Sequence, residues 1–216
     1  MKHIIFDFDG TLTEGKGNIW KNLYKTLGYS VETGSKYKKD LVSFLEGNLS
    51  YNDWCKINAD DYRKKHLTKN IIDGLVQDIR LFSDAIPVLK ELYARGYKLH
   101  LVSGNIGYVV DKVIGENKAF FTSVNANEFT FLGDKFLDIV PTKYDCEGKA
   151  LFVQEIIASG VDKADIYFVG NGINDEWVAS TGCKTICINP EDTDATNTDI
   201  WCSKVERLTE ILDIVR

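Results

Sequence analysis

The stretch His3-Ile4-Ile5-Phe6-Asp7-Phe8-Asp9-Gly10-Thr11 decides how this chain is read. Its apolar run predicts a buried strand over His3–Phe8 that ends on carboxylates. A charge inside the end of a buried strand is costly unless it has a partner. Residues i and i+2 of a strand point to the same side, so Asp7 and Asp9 face one another's charge. A divalent cation is the simplest remedy, and Mg²⁺ suits oxygen ligands of this kind. Gly10-Thr11 then supplies a sharp turn, free backbone N–H groups and a hydroxyl. An Asp-Gly pair alone would mark only an Asx-turn leaving a strand. Asp-x-Asp-Gly-Thr directly after a buried strand points instead to a site.

Outward from this segment, short apolar runs alternate with helical periods. Further strands are expected at Tyr97–Val102, around Phe120–Val124, at Asp165–Val169 and at Thr185–Ile188. Helical faces are carried by Val88, Leu89, Leu92 and Tyr93, by Val109, Val110, Val113 and Ile114, and by Leu151, Phe152, Ile156 and Ile157. Gly96, Gly115 and Gly160 follow them as stop signals. A last helix carries Leu208, Ile211, Leu212 and Val215. Asn127–Val140 reads as a hairpin with Leu132-Gly133-Asp134-Lys135 at its tip. The pattern predicts an α/β fold with a doubly wound, mostly parallel sheet. Residues 14–80 lack a convincing strand but hold several helical faces, among them Ile19, Trp20, Leu23, Tyr24 and Leu27, then Ile71, Ile72, Leu75 and Val76. They predict a helical cap domain inserted into a core formed by residues 1–13 and 81–216. An insertion after the first strand lies over the carboxyl ends of the strands, where open α/β sheets bind ligands.

Three later segments sit at predicted strand ends or helix starts. Ser103-Gly104-Asn105 offers a hydroxyl and backbone N–H groups suited to a phosphate, although polar glycine turns end many strands. Lys149, in Glu147-Gly148-Lys149-Ala150, places a cation where the helix dipole disfavours one, and a nearby anion would account for it. Gly170-Asn171-Gly172-Ile173-Asn174-Asp175 permits close backbone approach to a ligand. Asp175 is placed either to complement a helix N-terminus or to give a cation a second carboxylate. Gly170-x-Gly172 lacks the spacing of a dinucleotide fingerprint.

Asp7-Phe8-Asp9-Gly10-Thr11, Ser103, Lys149 and Gly170–Asp175 occur in the order typical of the haloacid dehalogenase superfamily. The chain resembles its phosphoserine-phosphatase-like branch over essentially its whole length. The resemblance implies a Rossmann-like core with a helical cap and a Mg²⁺-dependent phosphatase acting on a small phosphomonoester. Asp7 would be the nucleophile, forming an aspartyl-phosphate. Asp9 would protonate the leaving alcohol and then activate water. Ser103, Gly104, Asn105 and Lys149 would hold the phosphate, and Asp7, Asp9 through its carbonyl, Asn171 and Asp175 the metal. Dehalogenase relatives lack the acid/base carboxylate at the position of Asp9. The branch usually has Asp where this chain has Asn171. An amide coordinates without charge, which implies a weaker metal site unless Asp175 joins the ligands. Two alternatives share the pattern: a phosphotransferase using the same intermediate, and a non-catalytic binding protein whose metal site Asn171 weakens.

Composition narrows the setting. A net charge of −6 gives no reason to expect nucleic-acid binding, and 44% hydrophobic with 27% charged residues is ordinary for a globular protein. No stretch has the length of a membrane span, and Asp7 interrupts the N-terminal apolar run too early for a signal peptide, so a cytoplasmic protein is expected. The five scattered cysteines are expected as reduced thiols, with Cys183 and Cys187 buried rather than metal-bound. Partners are expected to be small phosphorylated metabolites. Glu14, Lys16, Trp20 and Arg63 are candidate cap contacts. A glutamate gripping a phosphoserine amino group is expected in the phosphoserine enzymes about two positions beyond Glu14, where this chain has Lys16.

Overall fold

The structure, a computed structural model, describes residues 1–14, 18–189 and 198–216. Seven strands form one sheet: β1 His3–Phe6, β2 Lys98–Ile106, β3 Phe121–Leu132, β4 Lys135–Val140, β5 Ile166–Gly170, β6 Lys184–Ile188 and β7 Ser203–Val205. Their order is β4-β3-β2-β1-β5-β6-β7, with only β4 antiparallel to its neighbour. The order runs outward in both directions from β1, so the reversal point lies between β1 and β5, where this architecture opens a crevice.

Period-two alternation places the sheet's side chains in two layers. Ile4, Phe6, Leu99, Leu101, Tyr167 and Val169 face one layer, joined by Val88, Leu89 and Leu92 of α5 (Ala85–Ala94). Ile5, Val102, Ile166 and Phe168 face the other, against Phe152, Val153 and Ile156 of α7 (Glu147–Ala158). Cys183 and Cys187 are buried free thiols, as expected.

Between β1 and α5 lie α1 (Ile19–Thr26), α2 (Lys36–Leu45), α3 (Tyr51–Lys64) and α4 (Lys69–Val76). Each begins on a polar cap. Asn18, Ser35, Ser50 and Thr68 accept hydrogen bonds from the backbone N–H of Lys21, Lys38, Asp53 and Ile71. The two crossings between core and helices pair with each other: Thr13 bridges Leu81, Glu14 N donates to Arg80 O, and Phe82 N donates to Leu12 O. The helical segment is not packed only on itself. Leu23, Tyr24, Tyr62 and Ile72 share one apolar cluster with Phe129, Phe136 and Ile139 of the hairpin and with Ile106 and Val109. Val109 belongs to α6 (Gly107–Ile114).

Several boundaries differ from the sequence reading. The weak third strand and the first arm of the hairpin are one continuous strand, β3, because its outer half pairs with β4 while its inner half pairs with β2. β7 and α2 carried too few buried positions to be read: among the helix residues only Tyr37 is buried. The last helix is a 3₁₀ turn at Leu208–Glu210 running into a short α8 (Ile211–Ile214).

Candidate active site

β1 stops at Phe6, two residues earlier than its apolar run suggests, because the chain turns there. Asp7 N still reaches Val169 O of β5 at 2.9 Å. The carbonyl of Phe8 then collects the N–H groups of Thr11, Leu12 and Thr13, at 3.3, 3.0 and 3.1 Å. Gly10 takes φ +70, and a side chain there would collide with the Asn171 amide. The turn thus needs glycine twice over, for its backbone and for its neighbour. On β2, four steps separate Val102 from Ile106, against two on the β3 partner between Asn125 and Asn127. Ser103-Gly104-Asn105 therefore bulges out of the ladder within β2 rather than following its end.

Three buried charges meet at the centre. Lys149, in the first turn of α7, donates to Asp7 Oδ1 at 2.8 Å and to Asp175 Oδ1 at 2.6 Å. Their relative exposures are 0%, 3% and 1%. Asp175 Oδ2 accepts from the backbone N–H of Asn171 at 3.0 Å and of Gly172 at 2.9 Å. Both oxygens of Asp175 are thus engaged, one by a cation and one by the turn it closes. Asp7 differs: among the described residues no donor reaches its Oδ2. Burial raises the Asp7 carboxyl, as do the charges of Asp175 and Asp9, against the pull of Lys149. Burial opposes the charge of Lys149, but Asp175 and Asp7 outweigh it and hold the ammonium protonated.

Asp9 is only partly buried. Asn105 Nδ2 donates to both its oxygens at 2.9 Å. Burial nevertheless lifts its carboxyl to about 7, with Asn105 and Lys149 pulling down and Asp145 pushing up. Asn105 Oδ1 is taken by Ile106 N at 2.6 Å, and Ser103 Oγ accepts from Asn105 N at 3.1 Å. Asn105, read from sequence as a phosphate contact, has its side chain committed to Asp9. Asn171 leans on Gly10, with Thr11 Oγ1 3.5 Å from its Oδ1.

Trp20, a candidate ligand contact, instead donates its indole N–H to Gly104 O at 2.9 Å, tying α1 to the bulge. Arg63 pairs with Asp60 and Asp138 and donates to Leu137 O, on the hairpin. Glu14 is exposed. Lys16 lies outside the described residues. Two groups escaped the sequence reading. Asn127 donates to Gly104 O at 2.8 Å and shares a hydrogen bond with the Tyr51 hydroxyl. Asp145 places its carboxylate against Gly104, where a side chain would collide with it. The residue after it, Cys146, holds φ 49 and ψ −120, a conformation that costs a side-chain-bearing residue about 1–3 kcal/mol. The only sequence signal for Asp145 was its nearness to Lys149.

Adjoining turns carry oxygen donors suited to a hard cation: the Asp7 carboxylate, the Asp9 carbonyl and the Asn171 amide oxygen, the amide lying beside Gly10. Among the described residues no cluster of three or more His, Cys, Asp or Glu side chains could hold a metal. A cation held by the three oxygens named would rest on the Asp7 carboxylate and two neutral oxygens. That donor set still fits Mg²⁺, which commonly binds through one or two carboxylates, waters and substrate phosphate. No helix among the described residues is long and apolar enough to cross a membrane.

The phosphoserine phosphatase of Archaeoglobus fulgidus is 24% identical over 193 residues, covering 88% of this chain but only 53% of that protein. The chain thus spans about half the length of that relative. The phosphoserine phosphatase of Methanocaldococcus jannaschii is 26% identical over 179 residues, covering 81% of this chain and 79% of that one. The structure of a substrate-bound phosphoserine phosphatase has the same fold, with TM-score 0.73 at 23% identity, covering 100% of this chain and 98% of that chain. A phospho-aspartyl intermediate analogue of phosphoserine phosphatase also gives 0.73 at 23% identity, with coverage of 100% and 99%. The family model of haloacid dehalogenase-like hydrolases matches residues 1–180. With that match spanning most of its length, the chain belongs to the haloacid dehalogenase-like hydrolases.

Proposed function

We propose that this chain is a Mg²⁺-dependent phosphatase that hydrolyses a small phosphomonoester through an aspartyl-phosphate on Asp7. The observation that carries this is the asymmetry of Asp7: Oδ1 is held by Lys149, while Oδ2 has no donor among the described residues. A carboxylate fixed on one oxygen and open on the other is oriented for attack.

In the first half-reaction Asp7 Oδ2 bonds to phosphorus as the ester oxygen departs. Asp9, whose carboxyl sits at about 7, is matched near neutral pH to give that oxygen its proton. Asn105 fixes both Asp9 oxygens, so the acid points one way. In the second half-reaction the Asp9 carboxylate takes a proton from water, which attacks phosphorus and returns Asp7. Lys149 offsets negative charge throughout, and Asp175 holds Lys149 in place from behind. Ser103 and the bulged backbone beside it stand ready for phosphate oxygens. Asp7, the Asp9 carbonyl and Asn171 would hold Mg²⁺, which would neutralise charge on the transferring phosphoryl group.

The test is release of phosphate from a generic aryl phosphate with Mg²⁺, for the parent and for Asp7→Asn. Turnover in the parent that falls by at least about 10³-fold in Asp7→Asn is expected for loss of a nucleophile. No Asp7-dependent turnover would sink the reading. Product analysis with an added alcohol separates hydrolysis from phosphoryl transfer.

A further inference from the structure

We propose that Asn127 and Trp20 are positioning residues for Asp9: they hold the peptide between Gly104 and Asn105, and through it the amide that points the acid. This deepens the phosphatase reading and rests on it. The bulge at Ser103-Gly104-Asn105 leaves the ladder between β2 and β3, so its carbonyls need donors from elsewhere. Gly104 O accepts from two side chains, Asn127 Nδ2 at 2.8 Å and the Trp20 indole at 2.9 Å. A carbonyl has two lone pairs, and both are filled. The C=O and N–H of one trans peptide point in opposite directions. With Gly104 O held on the Asn127 side, the Asn105 N–H is turned to the other, where Ser103 Oγ accepts it at 3.1 Å. The Asn105 side chain follows from the same backbone: Oδ1 accepts from Ile106 N at 2.6 Å, and Nδ2 donates to both Asp9 oxygens at 2.9 Å. Gly104 has no side chain to resist rotation of this peptide, so the hold has to come from its two donors.

Both donors are themselves fixed. Asn127 is 0% exposed and stands where β3 leaves β2 for β4. Its Oδ1 accepts from Thr142 N at 2.9 Å, which turns its NH₂ toward the bulge. The second amide hydrogen goes to the Tyr51 hydroxyl at 2.7 Å, and that hydroxyl is in turn hydrogen-bonded to Asp145. Trp20 is aimed by packing, its ring stacked on Tyr62 and edge-on to Phe129. Trp20 and Tyr51 belong to α1 and α3, whereas Asn127 belongs to β3. The inserted helices and the sheet therefore meet on one carbonyl, in the peptide that enters the residue orienting the acid. Asp7 is held separately, by Lys149, so loss of either donor acts on the acid and spares the nucleophile.

The experiment uses leaving groups that differ in their need for an acid. 4-Nitrophenolate departs without a proton, whereas benzyl alcohol must be protonated as it leaves. The ratio of kcat/KM for benzyl phosphate to that for 4-nitrophenyl phosphate is measured with Mg²⁺ in the parent, Asn127→Leu, Trp20→Phe and Asn105→Ala. It is expected to fall at least about tenfold in Asn127→Leu and at least about threefold in Trp20→Phe, the loss lying in kcat rather than KM. In the Asn105→Ala background, where the ratio has already fallen, neither substitution should lower it by more than about twofold again. Equal losses for the two substrates, as a merely structural role would give, or a full further drop in the Asn105→Ala background, overturn the proposal. Trp20→Phe keeps an aromatic ring while removing the donor, so it stands alone should Asn127→Leu not fold. Turnover of 4-nitrophenyl phosphate by the parent reports separately on the phosphatase reading. If that turnover is absent, hydrogen exchange of the Asn105 side-chain amide, followed by NMR, tests the hold directly. Exchange at least about tenfold faster in the variants is expected, and unchanged exchange overturns the proposal.

Discussion

Asp175→Asn and Asp7→Asn each remove one negative charge from the same lysine, yet the structure predicts losses of stability of unequal size. The attraction between Lys149 and Asp175 at 2.6 Å is about 6 kcal/mol at an effective dielectric near 20. Desolvation offsets much of it. Either variant also leaves Lys149 paired with the remaining carboxylate, and removes the repulsion between the two. Charge therefore cancels in the comparison, and hydrogen-bond geometry decides. Asp175 accepts on both sides, from Lys149 and from the N–H groups of Asn171 and Gly172. Asparagine has one acceptor oxygen, so whichever way its amide turns, an NH₂ faces a donor. A buried unsatisfied group costs about 1–3 kcal/mol, so Asp175→Asn should lose about 2–3 kcal/mol. At this chain length that is about 4–10 °C in Tm. Among the described residues Asp7 accepts from a side chain only through Oδ1. Its asparagine variant can keep that bond and turn NH₂ to the open cleft, so the loss should stay under about 1 kcal/mol. Urea unfolding of the parent and both variants at pH 7.5 without Mg²⁺ measures the difference. Equal losses, or a greater loss in Asp7→Asn, would refute the reasoning. Both variants should be catalytically impaired, so activity and stability separate only at Asp7.

Asn105→Ala removes the donor that pulls the Asp9 carboxyl down, so Asp9 should keep its proton to higher pH; the alkaline limb of kcat/KM moves upward while kcat falls by roughly 10–100-fold as the acid loses its orientation, seen in a pH–rate profile. Asn171→Asp adds a charge to an otherwise neutral pair of oxygens beside Asp7, and calorimetry should show Mg²⁺ binding at least about tenfold tighter; unchanged affinity would remove Asn171 from the ligand set. His100 is stacked on His3 and bonded to Ser123, and burial pushes it down to about 4. The unfolded chain therefore binds the extra proton between pH 6.5 and about 4, and this contribution to stability is lost as pH falls through that window. His100→Gln should flatten that part of the stability–pH curve in denaturant titrations.

Much of the molecule was legible before any coordinates. Ile4 to Phe6 and Ile166 to Val169 are buried on both faces, and such strands read as unbroken apolar runs. Gly96, Gly115 and Gly160 marked helix ends because capping is a local backbone problem. α2 and β7 were not legible, since neither buries enough side chains to impose a period.

At the site, sequence alone named Asp7, Asp9, Ser103, Lys149 and Asp175 as candidates, the carboxylates from their setting after apolar runs, and Ser103 and Lys149 from their order among the motifs. It also fixed the oddity of Asn171. Which atoms meet which was decided only by the tertiary structure. Asn105 turned to Asp9, both oxygens of Asp175 were occupied, Trp20 became a tie between helix and bulge, and Asp145 emerged beside Gly104. The physical reason is that these contacts, apart from the turn bonds to Asp175, join residues separated by many positions in the chain. A motif states what a residue can do; packing of the sheet, the bulge and the cap determines which partner it finds.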